Sequence, residues 1–361
     1  MSTVHSPTDT RVFQKECKSL EKAGYEVHLV IQGKDEVVDG VVLHGLRHPK
    51  NRVDRMSFLV EEALRHALEV DAELYHLHDP ELLRIALRLK DAGKHVVFDS
   101  HEFYRYQIAE KQYLPKRIAE VASRVYAAYE AKVCRQIDAV IVPCTRQGYN
   151  PFEGRARRVI YIDNYPILHD LKCESQGRST FSNAICYVGG LTYNRGITHL
   201  IKAAYTAGVT AILAGPIDNA YLTKLKSLPE YQCVDYRGFV DREGVDRIIS
   251  ESFCGAAALL NVGQYWLGDN LPTKAYEYMA GGIPFLMSPT HYAQKFAKEY
   301  PCCLLVDPED VVAYSDAIRM LRENPEMARK MSKIGYLALI NEFNWQREAN
   351  KLIGLYEEIL D

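Results

Sequence analysis

The sequence predicts an α/β protein of two doubly wound domains, each built on a parallel sheet. Three observations lead there. Short apolar runs alternate with amphipathic stretches of helical period along the chain. The alternation lapses over Leu168–Asn183, which is polar and patternless, and then restarts. The length of 361 residues suits two domains of ordinary size. Domain one is expected over residues 1–166 and domain two over 167–343.

The first domain opens with Met1-Ser2-Thr3-Val4-His5, which reads as the last residues of a strand, one that is stunted or already under way where the numbering starts. A helix to Ala23 with a Gly24 stop follows, then a strand over Tyr25–Ile31. Leu74–His78 is a strand. Asp79-Pro80-Glu81 is a strong helix start, with Asp as cap and Pro at the first position. Leu82, Ile85, Ala86 and Leu89 make the buried stripe of that helix. His95–Phe98 is the next strand and runs into Asp99-Ser100-His101-Glu102. Helical sequence continues to Ile137, and strands follow at Ala139–Pro143 and Arg158–Ile162. Ligands of such sheets bind beyond the C-terminal strand ends, where His78, Asp79, Asp99, His101 and Glu102 fall. His76 and His78 share one strand face, but no third ligand is evident, so no metal centre is expected.

The second domain starts with the strand Ala184–Val188, followed by Gly189-Gly190 and, at the next helix start, Arg195. Glycines allow a close backbone approach to a ligand, and an Arg there can hold a phosphate. Strands at Ala211–Pro216, Val234–Val240 and Ala256–Asn261 alternate with helices. Gly268-Asp269-Asn270-Leu271-Pro272 then leads into a helix over Thr273-Lys274-Ala275-Tyr276-Glu277-Tyr278-Met279-Ala280, with Pro272 in its first turn and Gly281-Gly282 as its stop. Ile283–Met287 resumes as a buried strand. Lys274 and Glu277 share a face near the helix start, where free N–H groups favour an anion. A carboxylate one turn on can accept two sugar hydroxyls. The alternative is a solvated helix ion pair. Late helices start at Asp307–Asp310, at Asn324-Pro325 and at Phe343-Asn344-Trp345.

Pro272-x-Lys274-x-x-Glu277-Tyr278-Met279, followed by Gly281-Gly282-Ile283-Pro284, resembles the donor-site motif of nucleotide-sugar glycosyltransferases of the GT-B fold, glycosyltransferase family four. His78-Asp79-Pro80-Glu81-Leu82, Asp99-x-His101-Glu102 and the Asp9-Thr10-Arg11 loop resemble the N-terminal acceptor domain of that family. The family pairs two acids separated by seven residues. Here Asp269 stands where Glu is usual, eight before Glu277. The family also has an Arg and a Lys after the first strand of its second domain. Gly190 stands for that Arg and Arg195 for the Lys.

The resemblance implies two Rossmann-like domains facing across a cleft, with the last helix, 344–361, packing back on the first. It implies transfer of a hexosyl group from a nucleoside-diphosphate sugar to a glycan or lipid-linked acceptor, retaining and metal-independent, in bacterial cell-surface polysaccharide synthesis. Arg195 and Lys274 would stabilise the leaving diphosphate, with His101 orienting sugar or acceptor. Gly189, Gly190, Phe239, Val240, Asp269, Asn270, Leu271 and Glu277 would complete the donor site. Asp9, Arg11, His78, Asp79, His101 and Glu102 would form the acceptor side. Plainer readings stand beside these: Arg11 as an ion pair with Asp9, His101 and Glu102 as loop caps, Arg195 as a surface charge. A nucleotide-sugar epimerase or hydrolase on the same fold, or a non-catalytic partner subunit, is the alternative function.

Composition bounds the rest. Hydrophobic content of 47% and charged content of 25% are those of a soluble globular protein. Nine cysteines without a Cys-x-x-Cys, and no charged-then-apolar leader before Arg11, lead to the expectation of a reduced, cytoplasmic setting. A net charge of −3 argues against nucleic acid as a partner. Phe103–Arg158 holds eleven Lys and Arg against five Asp and Glu, a balance of +6, interleaved with tyrosines. Such a segment reads either as a face for an anionic membrane, placing the protein peripherally on its inner side, or as an ordinary exposed helix with Tyr stems in the core. No Asp-x-Asp, Gly-x-Gly-x-x-Gly or Gly-x4-Gly-Lys-Ser/Thr occurs, so neither a metal-diphosphate motif nor a dinucleotide or ATPase loop is present. No cofactor is expected beyond the nucleotide sugar itself.

Overall fold

The computed structural model describes residues 1–109, 115–168, 183–262 and 266–361. The chain divides into two units, Met1–Asn164 with Trp345–Asp361, and Tyr165–Asn344. Most of the polar stretch 168–183 lies outside the described residues, as does Tyr113 of the basic segment.

In the first unit β1 (His28–Gln32) pairs in parallel with β3 (Val41–Leu46), and β2 (Glu36–Val38) pairs with β3 antiparallel. β4 (Leu74–Leu77), β5 (His95–Asp99), β6 (Ala139–Val142) and β7 (Val159–Tyr161) form a parallel sheet in chain order. Met1–Ser2 link the two sheets through the backbone. Ser2 N donates to Val30 O at 2.9 Å, His78 N to Met1 O at 3.1 Å, and Met1 N to His76 O at 2.6 Å. These residues take a strand's place between β1 and β4 without a ladder long enough to be one. The strand expected from Tyr25 starts three residues later; Tyr25 instead packs edge-on against Tyr356, 5.6 Å between ring centres.

The first helix is wound as π turns over Thr10–Cys17 and continues as α-helix over Lys18–Lys22. Asp9 caps it: Oδ1 accepts from Arg11 N at 2.9 Å and Val12 N at 2.8 Å. Phe13 N and Gln14 N both reach Asp9 O. Arg11, Lys15 and Glu16 are buried along with Val12, Phe13 and Cys17. Insertions of this kind are frequent at functional sites. At the next helix the expectation needs correction. Pro80–Leu82 is a tight 3₁₀ turn before the α-helix Leu83–Asp91, and the Asp79 side chain does not cap it. Asp79 is buried, and its Oδ2 accepts from Ser2 Oγ at 2.9 Å and Thr3 N at 2.6 Å. The stripe Leu82, Ile85, Ala86 and Leu89 is fully buried. The last helix, Trp345–Leu360, belongs to this unit: Trp345 Nε1 donates to Ser19 Oγ at 2.9 Å, and the Tyr356 hydroxyl meets His76 Nδ1 at 3.0 Å.

The second unit is one six-stranded parallel sheet. Its strands are β8 (Ala184–Val188), β9 (Thr210–Ala214), β10 (Val234–Tyr236), β11 (Cys254–Ala257), β12 (Phe285–Met287) and β13 (Cys303–Leu305). Their order is β10-β9-β8-β11-β12-β13. Along β8, Ala184, Cys186 and Val188 enter the core on one face, while Ile185 and Tyr187 enter the core on the other. The sheet grows outward in both directions from β8 and β11, so the switch point lies between them, where ligands of such sheets bind. Gly189-Gly190 follow β8, and the Gly268–Pro272 loop follows β11.

Candidate functional site

The switch point is built by the helix Thr273–Ala280, which Tyr278 anchors to the sheet. Its hydroxyl donates to Ala256 O at 3.0 Å, and its ring lies over Gly255, where an added Cβ would sit 2.5 Å from ring carbons. The helix stops at Gly281-Gly282, with Gly282 at φ +63°. Pro272 lies just outside the first turn rather than in it, with φ −60° and ψ 141°. Ala275, Tyr276 and Met279 bury the inner face, which leaves Lys274 and Glu277 beside the loops.

Lys274 is buried, and its ammonium lies 4.9 Å from the centre of the Tyr187 ring. Gly189, at φ +136°, makes that position available: a Cβ there would come 2.6 Å from Lys274 Nζ. Burial, joined by the Arg195 charge and opposed by Glu277, lowers the Lys274 pKa to about 8. Arg195 ends the short turn Tyr193–Arg195, before Gly196 at φ +69° opens the helix Ile197–Ala207. Arg195 also pulls on the Tyr187 hydroxyl, which burial pushes up to about 12 and which donates to Gly190 O at 3.2 Å. Two cations and the glycine backbone thus converge at the end of β8. Space around Gly190 is open.

Burial raises the Glu277 pKa, and Arg242 counteracts it, with Nη1 donating to Oε1 at 3.1 Å. Asp269 lies 3.5 Å from His291 Nδ1, Asn270 is half-buried, and the Leu271 side chain enters the core. Phe239 stands 84% exposed after Gly238, and Val240 packs at the core's edge. Sequence reasoning missed Arg242 and His291. Arg242 lies on a different helix from Glu277 and His291 on a helix apart from the loop that carries Asp269, and no local spacing marks either one.

In the first unit the candidates gather around Asp99, fully buried at the end of β5. Arg11 Nη2 donates to Asp99 Oδ2 at 2.8 Å and Arg11 Nε lies 2.9 Å from Glu16 Oε1, so Arg11 pairs with these acids and not with Asp9. His101 Nε2 lies 3.4 Å from Asp99 Oδ2 and 3.1 Å from His78 Nδ1. Burial alone would raise Asp99, but Arg11 and His101 outweigh it and hold the carboxyl well below its usual range. Burial, with Asp99 beside it, drives Glu16 well above its usual range. Burial also lowers His78 well below normal and His76 to about 3. Asp79 joins the group through His5, 3.5 Å away, whose ring lies tilted against that of His101 with 5.0 Å between centres. Asp9 stays apart as a helix cap, and Glu102 is half-buried beside His101. Glu16 was also missed, because its charge marks an exposed position on an ordinary helix and the π winding turns it inward.

Two family models match the chain: one described as Glycosyl transferases group 1 over residues 172–338, the other as Glycosyl transferase 4-like domain over 10–161. Among solved structures, sucrose-phosphate synthase of Thermosynechococcus elongatus superposes with a TM-score of 0.73 at 19% identity, covering 95% of this chain and 91% of its own. HepE of Anabaena, in complex with UDP and glucose, gives 0.70 at 13%, covering 95% and 94%. The UDP-forming α,α-trehalose-phosphate synthase of Burkholderia xenovorans, in complex with glucose-6-phosphate, gives 0.63 at 13%, covering 91% and 90%. No curated protein matches the chain in sequence.

Proposed function

The chain belongs to the group 1 glycosyltransferases, enzymes of the GT-B fold, and from that premise we propose how its two units divide the reaction. The second unit takes a nucleoside-diphosphate sugar. The first takes a glycan or lipid-linked acceptor. A hexosyl group is transferred with retention at the anomeric carbon, without metal, in bacterial cell-surface polysaccharide synthesis.

The observation that carries the reading is Lys274 beside Arg195, at a helix start, over a glycine that leaves it room. Breaking the bond between sugar and diphosphate leaves negative charge on the phosphate oxygens. Cations already fixed there stabilise that charge with no reorganisation. Glu277, held by Arg242, accepts the ribose hydroxyls. Asp269, Asn270 and backbone N–H groups meet the sugar hydroxyls. Phe239 and Val240 flank the nucleobase. On the first unit His101, oriented by Asp99 and His78, positions the acceptor or sugar hydroxyls, with Arg11 fixing Asp99. HepE with UDP and glucose makes uridine nucleotides the first to try.

A thermal-shift screen over nucleoside diphosphates tests the donor site, since a ligand of the folded state raises Tm. Glu277→Ala should then weaken the best nucleotide by about 1.5–3 kcal/mol of charged hydrogen bonding. Equal dissociation constants by calorimetry would remove Glu277 from the ribose. Added Mg²⁺ or Mn²⁺ should leave turnover unchanged, and a requirement for either contradicts the metal-free step. Donor alone should stay intact; its conversion without acceptor would favour an epimerase or hydrolase.

No described helix is long and apolar enough to cross a membrane. The helix Lys116–Cys134 does expose Ile118 (56%), Val121 (60%) and Val125 (64%) among Lys116, Arg117 and Arg124. An apolar stripe between cations supports peripheral attachment to an anionic, inner membrane face over the plainer reading of tyrosine stems in the core.

A further inference from the structure

Glu16 from the π-wound helix, His76 and His78 at the end of β4, and Asp99 at the end of β5 converge inside the first unit. One nitrogen or oxygen atom of each lies within 4.8 Å of those of the others, and all four side chains are buried. Glu16 Oε2 lies 3.6 Å from His78 Nε2. Ligands bound about 2.0–2.2 Å from one ion stand roughly this far apart.

A second observation points to a ligand. Glu16 Oε2, Asp99 Oδ1 and His76 Nε2 are buried without a hydrogen-bond partner among the described residues, where buried polar atoms are nearly always paired. Both imidazoles are also held from outside, His76 Nδ1 by the Tyr356 hydroxyl at 3.0 Å and His78 Nδ1 by His101 Nε2 at 3.1 Å. Outer partners of this kind orient metal-binding histidines. Arg11 occupies Asp99 Oδ2 and leaves Oδ1 available. A cavity of about 400 Å³, lined in part by Glu16, His76 and His78, supplies an entry path.

We propose that Glu16, His76, His78 and Asp99 bind one divalent transition-metal ion of the zinc class. Two imidazoles with two carboxylates select such an ion over Mg²⁺ or Ca²⁺, which prefer all-oxygen sites. The site holds the first helix to the ends of β4 and β5 and, through His78 and Asp99, steadies His101. It is independent of the donor assignment, and its test contains no nucleotide.

The full chain, stripped with EDTA and desalted, is titrated with Co²⁺ and then Zn²⁺. About one equivalent of Co²⁺ should give the visible absorption of a four-coordinate site, Zn²⁺ should displace it, and Zn²⁺ should raise Tm. Glu16→Gln and His76→Gln should weaken binding at least about 100-fold, and Tyr356→Phe about 10- to 100-fold. Tyr356→Phe keeps its ring, so it carries the test if the other two fail to fold by circular dichroism. Absence of stoichiometric binding by the parent chain overturns the proposal, leaving a proton shared between Glu16 and Asp99. So does equal affinity in all folded variants.

Discussion

At the scale of single residues, the proposed donor site rests most heavily on Lys274. This chain has Gly190 where the family resemblance implies an Arg, so among the described residues Arg195 is the cation that accompanies Lys274 in the proposed diphosphate site. A preorganised charge acting mainly in the transition state is worth about 2.7–4 kcal/mol. Lys274→Ala should therefore lower kcat by roughly 10² or more, while KM for the donor moves by less than about tenfold. Lys274→Arg should not rescue, because the pocket beside Gly189 fits a compact ammonium and not a planar fork. A rise in KM with kcat untouched would make Lys274 a uniform binding residue. The same lysine sets a pH dependence. With its pKa lowered to about 8 in the free protein, the ammonium is charged below that value and is lost as pH rises through it. The alkaline limb of kcat/KM, which reports the free enzyme, should fall with a midpoint near 8, and Lys274→Arg should lack that limb. A parent profile flat to about pH 10, the ordinary lysine range, would contradict the burial that lowers it.

At the scale of elements, the donor helix depends on the fit of one ring over one glycine. Gly255→Ala would push a methyl to 2.5 Å from the Tyr278 ring, so the helix must shift or the ring must leave. A loss of about 1–3 kcal/mol is expected from such overpacking, read as a lower denaturation midpoint together with weaker nucleotide binding. A loss of stability with unchanged binding would mean that the ring does not place Lys274. Such devices are not legible in a sequence. The strands and helices were, because apolar period and stop signals are local: the stripe Leu82, Ile85, Ala86 and Leu89 is buried as its spacing requires. Boundaries failed where a side chain had a distant partner. Tyr25 reads as strand but packs on Tyr356, and Asp79 reads as a cap but takes Ser2 and Thr3. The candidate site follows the same rule. Lys274 and Glu277 stand out because one helix spaces them; Arg242, His291 and Glu16 do not, because folding alone brings them to their partners.

At the scale of the whole molecule, the exposed stripe on Lys116–Cys134 predicts where the enzyme is found. It should co-sediment with vesicles containing anionic lipid at low salt and be released as salt rises, since each Lys or Arg near the surface contributes about 1 kcal/mol that ions screen. Val121→Asp with Val125→Asp should abolish the association and leave the fold intact, both side chains being mostly exposed. Equal sedimentation with neutral and anionic vesicles would return the helix to an ordinary solvated face.

The first unit is closed by the helix Trp345–Leu360, which follows the second unit in sequence. During synthesis, therefore, residues 1–164 receive that helix only after the second unit has been made. Tyr165–Asn344 emerges as one continuous stretch and can fold as soon as it clears the ribosome, whereas Met1–Asn164 waits for Trp345 to reach Ser19 and Tyr356 to reach His76. A nascent chain stalled before Trp345 should show a protease-resistant second unit and a sensitive first one. Restoring 345–361 should protect both. Equal resistance of the first unit in the stalled chain would show that it needs no such closure.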